Sequence, residues 1–113
     1  MIFHITHKSY WERFAGKEFY EPESLVKEGF IHCSPAEKIL ESAKNFFKNH
    51  TGLLILCIDE RKVKAEIKRE DLYNTGYEFP HIYGKLNKDA VIGTAEFGKD
   101  INGEFSLPED TMI

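Results

Sequence analysis

Three short segments set titratable side chains into otherwise apolar stretches, and they are the places where this chain could do chemistry. The first is Phe3-His4-Ile5-Thr6. The two-residue period of a strand puts His4 and Thr6 on one side, with Phe3 and Ile5 on the other. The second is Ile31-His32-Cys33-Ser34, which leads into Pro35-Ala36-Glu37. A helix beginning there would turn its amide groups toward an anion held near the His32 ring. The third is Phe79-Pro80-His81-Ile82-Tyr83-Gly84, where Pro80 stiffens the approach and Gly84 permits an unusual dihedral or a close backbone contact.

Each of these has a purely structural alternative. A lone histidine in an apolar strand is usually a satisfied structural residue. Thr6 can bond backbone, Ser34 can serve only as a helix cap, and Tyr83 can be core with its hydroxyl at the surface. Combination favours function: if His4, His32 and His81 pack into one small core, burying them together has a cost that structure alone does not explain. Other chemistries find less support. Close-spaced metal motifs, a phosphate-cradling glycine loop and a nucleophile elbow are all missing from the sequence. A zinc site from His4, His32 and His81 would have to be gathered from separate strands. Cys33 beside His32 is a poor nucleophile–base pair, because strand neighbours point to opposite faces. His7 and His50 look peripheral.

The elements that must position these residues follow from pattern. Residues 2–6 read as a strand. Residues 8–15 read as a short helix with Tyr10, Trp11 and Phe14 on one side, ended by Gly16. Residues 22–29 read as a helical turn with Pro near its start and Gly past its end. Ser34, Pro35 and Glu37 form a capping-box signature, which predicts a helix from Pro35 to about Asn49. Its core face would carry Ile39, Leu40, Ala43, Phe46 and Phe47. Residues 53–58 are apolar on both faces and predict a central strand. Residues 65–68 suit an exposed strand, and residues 72–83 read as irregular and aromatic. Residues 91–97 are another strand, joined through an Asn-Gly turn to a return strand at 105–107. Residues 108–113 read as a loose tail. Strands and helices do not alternate regularly, which predicts an α+β domain with a curved, mainly antiparallel sheet and one main helix rather than a doubly wound one.

Length and composition set the limits. The 113 residues make one domain, 42% hydrophobic and 30% charged. Nine Phe, five Tyr and one Trp provide for a core without staples. The 15 basic against 19 acidic residues leave a formal charge of −4, which disfavours binding of long nucleic acid. No apolar run is long enough to cross a bilayer. The opening residues lack a basic leader and the two cysteines are not expected to pair, so the cytoplasm is the expected compartment. A monomer or weak homodimer is expected.

The order of these segments resembles a bacterial family. Phe3-His4-Ile5-Thr6, Trp11, Glu21-Pro22-Glu23-Ser24-Leu25, Glu28-Gly29-Phe30-Ile31-His32-Cys33-Ser34, Phe79-Pro80-His81-Ile82-Tyr83-Gly84-Lys85-Leu86 and Asp89-Ala90-Val91 together look like the domain-of-unknown-function family numbered 952. The resemblance implies the ADP-ribosyltransferase-like superfamily, whose members bind NAD in a cleft between small antiparallel sheets as a split sandwich. It implies an NAD-dependent ADP-ribosyl or phosphoryl transferase working through a His/His cleft, with a small nucleotide as ligand. His4 matches the signature position on the first strand and His32 the second, closer to the tRNA 2′-phosphotransferase branch than to the branch with a catalytic Glu. His32 and His81 are the catalytic candidates on this reading, and His4, Thr6, Ser34 and Tyr83 the cofactor-binding ones, with no metal required. Glu96 is the only acid on the strand where transferases place a Glu, and it receives no role. The alternatives are a non-catalytic nucleotide or ADP-ribose-binding module and a zinc-dependent hydrolase.

Overall fold

The computed structural model describes residues 1–108, so the tail expected at residues 108–113 lies, apart from Pro108, outside the described residues. Nine strands and three α-helices are present among them, joined by short 3-10 turns. A four-stranded antiparallel sheet has the order β1 (Ile2–His7), β4 (Leu53–Ile58), β8 (Val91–Lys99), β9 (Phe105–Ser106). A three-stranded sheet has the order β3 (Ile31–His32), β6 (Phe79–Tyr83), β5 (Glu66–Glu70). A two-stranded ribbon joins β2 (Phe19–Tyr20) to β7 (Leu86–Asn87). The α+β reading with curved antiparallel sheets and few helices therefore holds.

All six residues of β4 are buried, as a run that is apolar on both faces requires. The period of two splits them between two cores. Leu56 and Ile58 join Ile2, Tyr20, Ile31, Ile82 and Leu86, which weld the four-stranded sheet to the smaller ones. Ile55 and Cys57 join Phe3, Ile5, Ile39 and Phe97 beneath the main helix. Opposite β4 on β1, His4 pairs with Leu56 and Thr6 with Leu54, so both polar side chains lie on the first face as their spacing predicts.

The helices are shorter than the sequence suggests. The first, α1, covers only Lys8–Glu12 before turns run on to Gly16, which adopts φ +76°. The second, α2 (Glu23–Glu28), has Pro22 at its N-cap and Gly29 in the left-handed region at its C-cap, where a residue without Cβ is favoured. The expected helix from Pro35 to about Asn49 is corrected to a 3-10 turn at Ala36–Lys38 followed by α3 at Ile39–Phe46.

Ser34 does not cap that helix, and the capping box is not formed. Its backbone is committed to β1: the Ser34 amide donates to the Phe3 carbonyl at 2.7 Å and its carbonyl accepts from the Phe3 amide at 2.8 Å. Its hydroxyl instead meets that of Ser42 at 2.7 Å. Tertiary pairing has overridden a local signal here. The core face of α3 is also narrower than expected: Ile39 and Ala43 are buried, whereas Leu40 and Phe46 are exposed.

Residues 79–83, expected to be irregular, form the central strand of the smaller sheet despite Pro80. The Pro80 carbonyl accepts from the Cys33 amide, so its nitrogen faces the β3 side as well. There β3 is only two residues long and pairs only Ile31 and His32, so the missing amide hydrogen breaks no ladder bond.

Candidate functional site

The three histidines converge. Antiparallel pairing sets His32 directly opposite His81, with ring centroids 5.3 Å apart. His4 reaches the same place from β1, with its Nδ1 2.6 Å from the His32 carbonyl oxygen. A carbonyl only accepts, so Nδ1 carries the proton. In the neutral ring Nε2 is then the lone-pair nitrogen, and the Tyr20 hydroxyl lies 3.1 Å from it. That hydroxyl also bonds Thr6 Oγ1 at 2.9 Å.

Burial governs the charge of His4. With the side chain almost wholly enclosed, desolvation outweighs the hydrogen bond that His4 donates to the His32 carbonyl and lowers its pKa to about 4. The unfolded chain therefore binds this proton between about pH 6.5 and 4 while the folded chain does not. Stability from neutral His4 should be fully present above pH 6.5 and lost as pH falls toward 4, by about 3 kcal/mol. His81, also lowered by desolvation first, adds in the same direction. Denaturant unfolding at stepped pH should show this slope, and His4→Gln should flatten it. An unchanged slope in that variant would show that His4 does not carry the effect.

His32 and His81 are each paired with a carboxylate that the sequence reading did not single out. His32 Nε2 donates to Glu28 Oε2 at 2.5 Å, and the Tyr73 hydroxyl stands 3.3 Å from the same nitrogen. His81 Nδ1 donates to Glu70 Oε1 at 3.1 Å. The Tyr83 hydroxyl donates to that same oxygen at 2.5 Å. These two bonds, Tyr83's first, hold the Glu70 carboxyl below its usual range, and the shared proton raises Tyr83 to about 12. His81 is 1% exposed and its ring stacks on Phe30 at 4.4 Å. Its Nε2 makes no hydrogen bond among the described residues and is not a sealed, unsatisfied atom, so this nitrogen is left to the cleft that His81 lines.

That cleft has a volume of about 610 Å³, within the range of small-molecule sites. His4, Thr6, His32, Ser34 and His81 all line it. Tyr83 does not, and it reaches the cleft only through Glu70 and His81. Glu96 lies outside, exposed and paired with Lys8 at 3.3 Å. Phe46, expected in the core, is 54% exposed at the mouth, where its ring lies 6.0 Å from His32 and 5.6 Å from Tyr73. His7, which looks peripheral in the sequence, is part of the lining. Cys33 also lines it, but burial pushes its thiol pKa well up, so it is not a ready nucleophile.

Two cofactor readings can be tested on this donor set. NAD would bring two phosphates, yet no Lys or Arg is among the lining residues, and the charged ones are Glu23 and Glu41. The residues present do not fit its diphosphate. A zinc centre on His4, His32 and His81 would have to break one of the bonds that occupy both nitrogens of His4, whereas His81 could ligate through its free Nε2 with Nδ1 still held by Glu70. Among the described residues, no group of three or more His, Cys, Asp or Glu is arranged to hold a metal.

No curated protein gives a significant match. The X-ray crystal structure of protein CC0527 from Caulobacter crescentus, a structural-genomics target, is similar with a TM-score of 0.82 and 25% identity. The match covers 93% of this chain and 92% of that one. The solution NMR structure of CC0527 matches with a TM-score of 0.70 at 25% identity, over 91% and 89% of the two chains. A family profile matches residues 5–94, a span that takes in both histidine–carboxylate pairs, and the chain belongs to DUF952, a family of proteins of unknown function.

Proposed function

We propose that the cleft binds a small, ring-bearing molecule that is neutral or cationic, with a nucleoside as the favoured class. The observation that carries this reading is the convergence of two histidine–carboxylate pairs on one cleft whose lining has no Lys or Arg. A flat ring finds a partly exposed aromatic face at His32, Phe46 and Tyr73. Sugar hydroxyls and base edges find Thr6, Ser34, Ser42 and Asn45. A phosphate finds no Lys or Arg to balance its charge and meets the carboxylates Glu23 and Glu41, which disfavours it against a neutral ligand.

The free Nε2 of His81 favours a catalytic reading of the same cleft. With Nδ1–H held by Glu70, that nitrogen has its lone pair available and its ring fixed, which suits a general base that later returns the proton as an acid. The ADP-ribosyltransferase likeness supplies the competing proposal of NAD-linked transfer, supported by the meeting of His4 and His32.

Thermal unfolding with adenosine, nicotinamide riboside, ADP-ribose and NAD distinguishes these readings. At about a hundred times its dissociation constant a ligand stabilises by roughly 2.7 kcal/mol, a rise of roughly 10 °C or more for a domain of this size. A rise with a nucleoside that phosphate-bearing ligands do not match is the expected result. An equal or larger rise with NAD or ADP-ribose would sink the non-anionic reading and restore the dinucleotide one.

A further inference from the structure

We infer that His7 and His50 form a two-histidine site for a borderline divalent transition metal such as Zn²⁺ or Ni²⁺. His50 Nδ1 lies 3.0 Å from His7 Nε2. Both groups are imidazole nitrogens, so one donates and the other accepts, and the donor's N–H and the acceptor's lone pair face each other between the rings. Tetrahedral zinc at about 2.0–2.1 Å from each nitrogen would set the two about 3.3–3.4 Å apart, so a few tenths of an ångström of opening makes room for a metal once the donating ring has moved its proton, through solvent, to its other nitrogen. Imidazole is the ligand type that Zn, Ni and Cu favour over Mg or Ca.

The two rings come from positions 43 residues apart and are held by separate constraints. His7 is the last residue of β1, in register with Leu53 on β4. The His50 amide donates to the Phe47 carbonyl at 2.9 Å, just past α3. Both rings pack edge-on against the Phe47 ring, at 6.1 Å for His7 and 5.4 Å for His50. This shared wall orients the rings without consuming their nitrogens. The neighbouring cation, Lys8, is drawn to Glu96 at 3.3 Å. The pair is open to solvent, so water can fill the remaining metal positions. Because His7 also lines the cleft, a metal held here stands at the cleft's edge.

The test is calorimetric titration of the untagged chain with Zn²⁺ at pH 7.5, repeated on His7→Gln and His50→Gln, with folding checked by circular dichroism. One equivalent should bind. Each variant should lose affinity by at least about tenfold, since removing even an outer-shell partner of a metal ligand costs 10–100-fold. Nitrogen-15 spectra of the imidazoles should show His7 Nε2 and His50 Nδ1 shifting on zinc addition, which reads the site directly even where a variant folds poorly. Absence of saturable binding overturns the site, as does affinity in the two variants equal to that of the unsubstituted chain or a shift confined to other histidines.

Discussion

Tyr20→Ala should lower the unfolding free energy by about 3–5 kcal/mol, the typical loss for a large aromatic cut to alanine in a core. The whole stability of a domain of this kind is about 5–15 kcal/mol, so the variant should sit near the edge of folding. The reason lies in how much converges on one ring. Tyr20 has no exposed surface and belongs to a strand of only two residues. Tyr10, Trp11 and Phe14 meet it edge-on at 6.2, 5.1 and 5.3 Å, and His4 at 5.6 Å. Its hydroxyl stands between His4 Nε2 and Thr6 Oγ1. Tyr20→Phe separates the two contributions. It keeps the packing, strands both polar partners, and should cost about 1–3 kcal/mol. Urea unfolding of both variants measures this. If Tyr20→Ala costs less than Tyr20→Phe is expected to, the ring is not the keystone between α1 and the cleft floor.

Tyr20 also shows where sequence reading stops. Its neighbours announce nothing: Glu18 to Tyr20 reads as a brief extended piece, and two-residue strands have no period to detect. What makes Tyr20 central is a set of contacts made 14 and 16 residues away, to Thr6 and His4. The same holds for Glu70, 11 residues before His81 and brought to it by pairing of β5 with β6. By contrast, the buried strand at residues 53–58, the polar face of His4 and Thr6, and the Gly29 cap follow from local period and backbone preference, and they are found where expected. Ser34 shows a strong local signal losing to a tertiary one, because two backbone bonds to Phe3 outrank a single cap. Glu28 was the one partner within reach of a local rule. It stands four residues before His32, but the pair straddles a helix end and a strand, so helical spacing would not have justified joining them.

His81→Phe should abolish most ligand affinity while leaving the fold standing. Phenylalanine keeps a ring for the 4.4 Å stack on Phe30 and removes both nitrogens. Glu70 is left with the Tyr83 hydroxyl and partial access to water, so no bare charge is sealed in. A ligand that hydrogen-bonds His81 Nε2 would lose that bond and leave its own polar atom against a hydrocarbon edge, which costs about 1–3 kcal/mol, or roughly 10–100-fold in affinity. Glu70→Gln asks a different question. It retains an acceptor for Nδ1–H but removes the carboxylate that would stabilise a protonated imidazole, so binding of a neutral nucleoside should change little while any pH-dependent turnover should fall. Calorimetric binding of whichever nucleoside stabilises the chain reads the first variant, and the pH profile of product formation reads the second. Affinity unchanged in His81→Phe would remove His81 from the binding site and leave the His32–Glu28 pair as the group the cleft is built around.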